Sequence, residues 1–235
     1  MNKFHCIVCM QFILIATTPT NATEIATLVK FDGNVQVFAY RQFKPIIVEQ
    51  KQLPYKLNAG DKIRTKSKTI AKVTFLDHST VLLKSDTELR FTSNYQQTVE
   101  SGRAIYKIRK LNSLKGLQVA TKSAIIGVKG TEFIVNARDT EDAILLNEGS
   151  ITVDSIKGSF KKAIGIEKNA FDSYMNDEIE EFSDFQETMN KEFYEYVKSV
   201  SLSEGKAIRI NSNNELDEIQ FSDQDISDFE LLNSF

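Results

Sequence analysis

From Leu28 onward apolar residues recur at every second position, in short runs broken by polar turns. That is the period of half-buried β-strands. The runs are Val35–Tyr40, Pro45–Val48, Lys62–Thr65, Ile70–Leu76, Val81–Lys84, Glu88–Thr92, Arg103–Ile108, Leu117–Thr121, Val128–Val135, Ala143–Leu146 and Ile151–Ser155. Within Ile70–Leu76, the side chains of Ala71, Val73 and Phe75 share one face. Val81 and Leu83 are expected to meet them across a tight turn at Asp77, His78 and Ser79. Runs recurring roughly every 8–12 residues predict an all-β sandwich, barrel or solenoid rather than alternating β-α units. The stretch from Val119 to Val135 reads as two strands joined through Gly127 and Gly130. Glycine within a strand pattern marks a bulge, a bend or a close backbone approach, and a side chain at either position is expected to obstruct the backbone path.

The period changes toward the C-terminus. Ile179, Phe182, Phe185, Met189, Phe193, Val197 and Val200 follow one another in steps of three and four, one face of an amphipathic helix. Asn176 is placed to cap it, Asp177 and Glu178 suit its positive end, and Lys198 its negative end. The predicted organisation is therefore a mainly β, sandwich- or solenoid-like domain over 23–165, followed by one long helix. That helix, with a short strand at Ala207–Asn211, occupies 166–212 and packs on an open sheet face. The acidic tail, 213–235, is expected to be partly disordered, with Phe221, Phe229, Leu231, Leu232 and Phe235 as docking points.

Residues 1–22 have the layout of a secretory signal peptide. Lys3 makes a basic start, Ile7 to Ala16 is apolar, and Thr20, Asn21 and Ala22 offer small residues before a cut near Ala22. The apolar run is too short to span a bilayer, and no later stretch is apolar enough, so the mature chain is expected to have no membrane span and to be periplasmic or secreted. Cys6 and Cys9 both fall in this leader. The remainder has no thiol, which excludes disulfides and thiolate chemistry and suits an oxidising compartment. Lys and Arg number 29 against 32 Asp and Glu, a net charge of −3, and no basic stripe is interleaved with aromatics. Nucleic-acid binding is excluded on that basis.

Little catalytic chemistry is on offer. His78 is the one histidine beyond the leader, so no histidine- or cysteine-based metal site is expected. The acidic run Asp139 to Asp142 lacks the spacing of a calcium loop and reads as a hairpin turn. His78 beside Ser79 reads as a turn residue tolerant of left-handed backbone rather than as a catalytic base. Gly127 to Thr131 is not a phosphate-binding loop, because no lysine follows the second glycine. No catalytic, cofactor-binding or metal-binding residue is predicted. A carboxylate pair such as Glu132 and Glu148 is carried as a hydrolase alternative.

Five segments, in order, resemble the signature of FecR-type domains. They are Gly60-Asp-Lys-Ile-Arg-Thr65; the strand–turn–strand from Ala71 to Leu83, in which His78 replaces the glycine of an Asp-Gly-Ser turn; Gly102-Arg-Ala; Thr121 to Val135 with its Gly130-Thr-Glu-Phe133 core; and Asn147 to Val153 with Glu148-Gly149. The residues that carry the resemblance are Gly60, Asp61, Thr65, Asp77, Gly102, Thr121, Gly127, Gly130, Thr131, Phe133 and Gly149, all expected to be structural. The resemblance implies an extracytoplasmic β-domain that acts by contact. In regulators of that family it receives a signal from an outer-membrane receptor and passes it to a sigma factor, through a membrane helix and a cytoplasmic segment. Neither accompanies it in this sequence, so the binding domain alone is expected to carry over. The expected function is recognition of a partner protein in the bacterial envelope, through surface complementarity or pairing of a sheet edge with an extended segment. A glycan- or peptidoglycan-binding module using Tyr95, Tyr106 and Phe38 is the first alternative.

Overall fold

The computed structural model describes residues 23–110, 116–163 and 194–235. Its strands form two sheets that share one strand, β9 (Gln96–Lys107). The second sheet runs β3 (Ile46–Val48), β2 (Val35–Phe38), β5 (Lys62–Thr65), β8 (Glu88–Ser93), the first half of β9, β10 (Leu117–Ala120), β11 (Ala124–Val128), β14 (Ser150–Ser155) and β17 (Ser199–Ser203). The first sheet begins with β4 (Tyr55–Asn58), β1 (Glu24–Asp32), β6 (Ile70–Phe75), β7 (Thr80–Leu83) and the second half of β9. It continues with β12 (Glu132–Ala137), β13 (Glu141–Glu148), β18 (Ala207–Asn211), β19 (Glu215–Ile219), β15 (Phe160–Ala163) and β16 (Tyr194–Val197). All neighbours are antiparallel except β9–β10 and β15–β19. The chain thus winds back and forth between two layers, the sandwich- or solenoid-like arrangement that the alternation predicts.

The crossing inside β9 is sharp. Ser101 still pairs with Glu88 in the second sheet, whereas Gly102 already pairs with Ala137 in the first. Gly102 has φ +87°, and a Cβ there would lie 2.5 Å from Thr87 Cα, so no other residue fits without displacement. The other glycines of positive φ, at 33, 60, 130, 149, 158 and 205, also sit where the chain passes from one sheet to the other.

Between the layers lies one core, built from alternate residues such as Leu28, Val73, Val81 and Ile144 on one side and Val37, Ile63, Leu89 and Val99 on the other. Tyr106 and Phe133 stack within it, ring centroids 4.8 Å apart and planes 7° from parallel. Burial of each such side chain stabilises the fold by about 1.5–3 kcal/mol. A second, smaller cluster lies on the outer face of the first sheet, where Leu82, Ile105, Ile134 and Leu145 are covered by Phe229 and Leu232 of helix α1 (Asp223–Ser234).

The C-terminal third departs from expectation. The helix expected over 176–200 lies outside the described residues up to 193, and beyond them Tyr194–Val197 and Ser199–Ser203 are strands that extend both sheets. Tyr and Val alternating with Ser and Glu fit a pleated edge better than a helix interior. The tail, expected to be partly disordered, instead forms β19 and α1. Ser222 caps α1 and makes a capping box with Asp225, and two acids stand in its first turn. Among the described residues, the helix on the sheet face is therefore α1, docked through the tail residues singled out above. The Val128–Val135 run also breaks, into β11 and β12 at Lys129–Thr131. Residues 1–22 lie outside the described residues.

Candidate functional site

Most of the residues that carry the sequence signature hold corners of the sandwich. Asp61, 4% exposed, accepts the backbone N–H of Tyr40 at 2.9 Å and that of Asn58 at 2.8 Å, fixing two loops at once. Gly60 turns the chain ahead of it with φ +91°. Thr65 Oγ1 donates to Lys84 O at 2.6 Å and accepts from Thr87 N at 2.9 Å. Thr121 Oγ1 donates to the buried Asp142 at 2.7 Å, tying the β10–β11 turn to β13. Thr131 is buried against Gly149, where a Cβ would meet its Cγ2 at 2.8 Å. Phe133 is a core residue. Gly127 differs: it lies in β11 without a left-handed backbone, and a Cβ there would meet only Thr152 O at 3.8 Å. Its expected role in shaping the backbone has no geometric counterpart, whereas Gly130, φ +69°, would bring a Cβ within 2.9 Å of Lys110 Cα.

One of these corners, at Gly130, borders a cavity of about 170 Å³ at one end of the sandwich. Its walls are Ile25, Phe75, Ile108, Leu117 and Val128, with Leu76 and Tyr95 at the mouth, 59% and 45% exposed. The β6–β7 turn forms one lip. His78 there has φ +65°, the left-handed backbone expected of a turn residue. The Asp77 carboxylate accepts from Ser79 N and Ser79 Oγ, each at 2.9 Å, and Ser79 Oγ accepts from Arg109 N at 3.0 Å. The opposite lip carries Lys129 and Gly130. Arg109, Lys110 and Lys129 are exposed, and among the described residues none of them forms an ion pair. Gln97 lines the cavity while 2% exposed, and its Oε1 has no hydrogen-bond partner among the described residues.

Sequence reasoning did not single out Gln97, Arg109 or Lys129. The available signal was the alternation of β9, in which Gln97 and Val99 share the inward face, so a polar residue stands at a core position.

The alternative chemistries do not assemble. Glu132 and Glu148 are register partners across β12 and β13, and the hollow that Glu132 lines with Asn147 and Phe229 does not include Glu148. Glu132 is buried, accepts from Asn147 at 3.1 Å and pairs with Lys107 at 3.4 Å, while Glu148 is exposed at the corner. Asp142 is occupied with the β10–β11 turn, accepting from Ser123 N as well as from Thr121, and Asp139 pairs with Lys122 at 2.7 Å. Among the described residues no group of three His, Cys, Asp or Glu could hold a metal ion. Of the three aromatics considered for a glycan platform, Tyr106 is fully buried, which pushes its phenol well above the ordinary range. Phe38 lies beneath Lys62 and Arg64, 5.1 and 4.9 Å from its ring centroid. Tyr95 alone of the three is exposed. No described helix is long and apolar enough to cross a membrane.

Residues 61–152, the span from the Asp61 corner to β14, match the family described as FecR protein. No curated relative matches the chain. Two crystal structures of an anti-sigma factor candidate from Parabacteroides distasonis are similar, each at 20% identity, with TM-scores of 0.46 and 0.47. Each match covers 71% of this chain and 62% of the other, so the chain spans under two thirds of the length of those proteins.

Proposed function

We propose, from the match of residues 61–152 to the family described as FecR protein, that this chain is an exported, non-enzymatic module that recognises a partner protein in the bacterial envelope, in the service of signal sensing. One observation carries the reading: the cavity end of the sandwich joins an open apolar hollow to three cations that make no ion pair among the described residues. An apolar centre ringed by charge is the anatomy of a protein-binding surface. The remaining signature side chains are committed to corners, and among the described residues the one carboxylate lining that end, Asp77, is held by Ser79. Export rests on the leader pattern of residues 1–22.

The test is crosslinking in intact cells from a photoreactive residue at Tyr95, with Ile47 on the edge strand β3 as comparison. Ile47 is 59% exposed, so it reports docking by edge pairing. The expected result is an envelope protein captured from Tyr95 and not from Ile47, on a chain that fractionates outside the cytoplasm. Capture from Ile47 alone moves recognition to the sheet edge. No capture from either position, or a cytoplasmic chain, overturns the proposal.

A further inference from the structure

We infer that the cavity receives one aromatic side chain bearing an N–H or O–H donor, presented by an acidic segment of the partner protein. The inference rests on the recognition surface proposed above and adds what enters it.

Size sets the first limit. A volume of about 170 Å³ is an order of magnitude above the roughly 10–15 Å³ that houses one water, and below the several hundred Å³ typical of pockets for drug-sized ligands. One large side chain fits that interval. The walls set its character: Ile25, Phe75, Ile108, Leu117 and Val128 favour an apolar body.

Gln97 sets the polar requirement. Its Oε1 is buried and without a partner among the described residues, and such an orphan acceptor costs about 1–3 kcal/mol. An aliphatic or phenylalanine side chain filling the cavity would seal that cost in. A tryptophan or tyrosine side chain removes it once the Gln97 amide turns its oxygen to the cavity, because each joins an apolar ring to a single donor.

The rim sets the charge of the flanks. Arg109 and Lys129 line the mouth, and Lys110 packs beside Gly130. Asp77 is the one carboxylate among the lining residues, and both its oxygens already accept from Ser79. An acidic segment gains attraction from three cations, in encounter as well as in the complex.

The probe is a capped pentapeptide, Asp-Glu-Trp-Glu-Asp, titrated into the isotopically labelled chain and compared with the same peptide carrying phenylalanine or 1-methyltryptophan. The expected result is amide shifts centred on Gln97, Ile108 and Gly130, with affinity about tenfold lower for 1-methyltryptophan, which keeps the ring and loses the donor. Gln97→Met is expected to abolish that difference, and Lys129→Glu to weaken all three peptides. Equal binding of tryptophan and 1-methyltryptophan, shifts centred elsewhere, or no shifts at large peptide excess overturn the inference without requiring any protein variant. A partner segment crosslinked to Tyr95 but containing neither Trp nor Tyr also sinks it, and leaves the recognition reading standing.

Discussion

Arg103 Nε stands 2.6 Å from Asp228 Oδ2, so β9 of the first sheet is tied to helix α1 through a carboxylate whose side chain is only 1% exposed. Lys84 reaches the other oxygen at 2.9 Å, and Gln224 donates to it at 2.9 Å. Removing one member of a buried pair is costly because its partners keep their charge without compensation. Asp228→Ala is expected to destabilise the chain by about 3 kcal/mol, the lower end of that range, since Arg103 and Lys84 retain some solvent. Urea unfolding monitors the loss. A change below about 1 kcal/mol would mean that the apolar contacts of Phe229 and Leu232 hold α1 alone.

Asp225 gives the same helix a pH dependence. Burial raises its carboxyl pKa, but hydrogen bonds from the side chain and backbone of Ser222 and from Arg103 outweigh burial and hold it below the ordinary 3.8. A group depressed in the folded state binds fewer protons there than when unfolded. Its contribution is therefore full above the ordinary value and is lost as pH falls through the folded one. Amide exchange in α1 is expected to accelerate below about pH 4 before exchange in the β9–β12 pairing does, and Asp225→Asn should flatten that dependence. Simultaneous loss of helix and sheet protection would contradict it.

Gly130 and Gly127 stand three residues apart and make opposite demands. Gly130→Ala forces a left-handed backbone on alanine and drives its Cβ to 2.8 Å from Lys110 Cβ, so a loss of about 2 kcal/mol is expected. Gly127→Ala meets ordinary space in a regular strand, and its thermal midpoint should be unchanged or slightly raised, within about 0.5 kcal/mol. Equal losses at the two positions would show that the corner is not what selects glycine.

That pair also shows how much the sequence disclosed. Period-two alternation placed most strands of the two sheets, because each of those strands buries one face, and the corner residues were visible as a punctuated series from Gly60 to Gly149. Which glycine turns the chain was not visible, since a glycine in a strand and one in a corner look alike without dihedral angles. The central strands contained a further signal. Ala104 to Tyr106, Phe133 to Val135 and Ile144 to Leu146 are continuous apolar triplets, buried on both faces, which requires a cover over the outer face of the first sheet. The cover is α1, with Ser222 and Asp225 as its capping box and Phe229 and Leu232 facing inward. Its acidic composition concealed it, because Asp225 and Asp228 read as solvated charges until the fold brings Arg103 and Lys84 to them from distant strands. The cavity was hidden for the same reason: Gln97, Arg109 and Lys129 come together only through tertiary pairing.

Tyr106 provides a test of orphan polar groups that is independent of any partner. Its ring stacks on Phe133, but its hydroxyl is buried with no hydrogen-bond partner among the described residues. Removing an unpaired buried hydroxyl while keeping the ring relieves a desolvation cost. Tyr106→Phe is expected to leave stability unchanged or raise it by up to about 1 kcal/mol, read from the denaturation midpoint at constant slope. A loss of 1 kcal/mol or more would reveal a partner for the hydroxyl, such as an internal water.

Asp61 makes the opposite case, of a buried carboxylate whose both oxygens are used. Oδ1 holds Tyr40 N in the β2–β3 loop, and Oδ2 holds Asn58 N at the β4–β5 corner. Asp61→Ala strands two backbone donors, each costing about 1–3 kcal/mol when buried, so a loss of about 2–4 kcal/mol is expected where the groups stay partly wet. Asp61→Asn keeps one acceptor oxygen and turns the second position into a donor facing a donor. It should therefore fall at or beyond the alanine value rather than midway, which separates hydrogen-bond polarity from mere size. Chemical denaturation of the two variants side by side decides the matter, and an asparagine variant close to wild type would show that only one of the two loops depends on this residue.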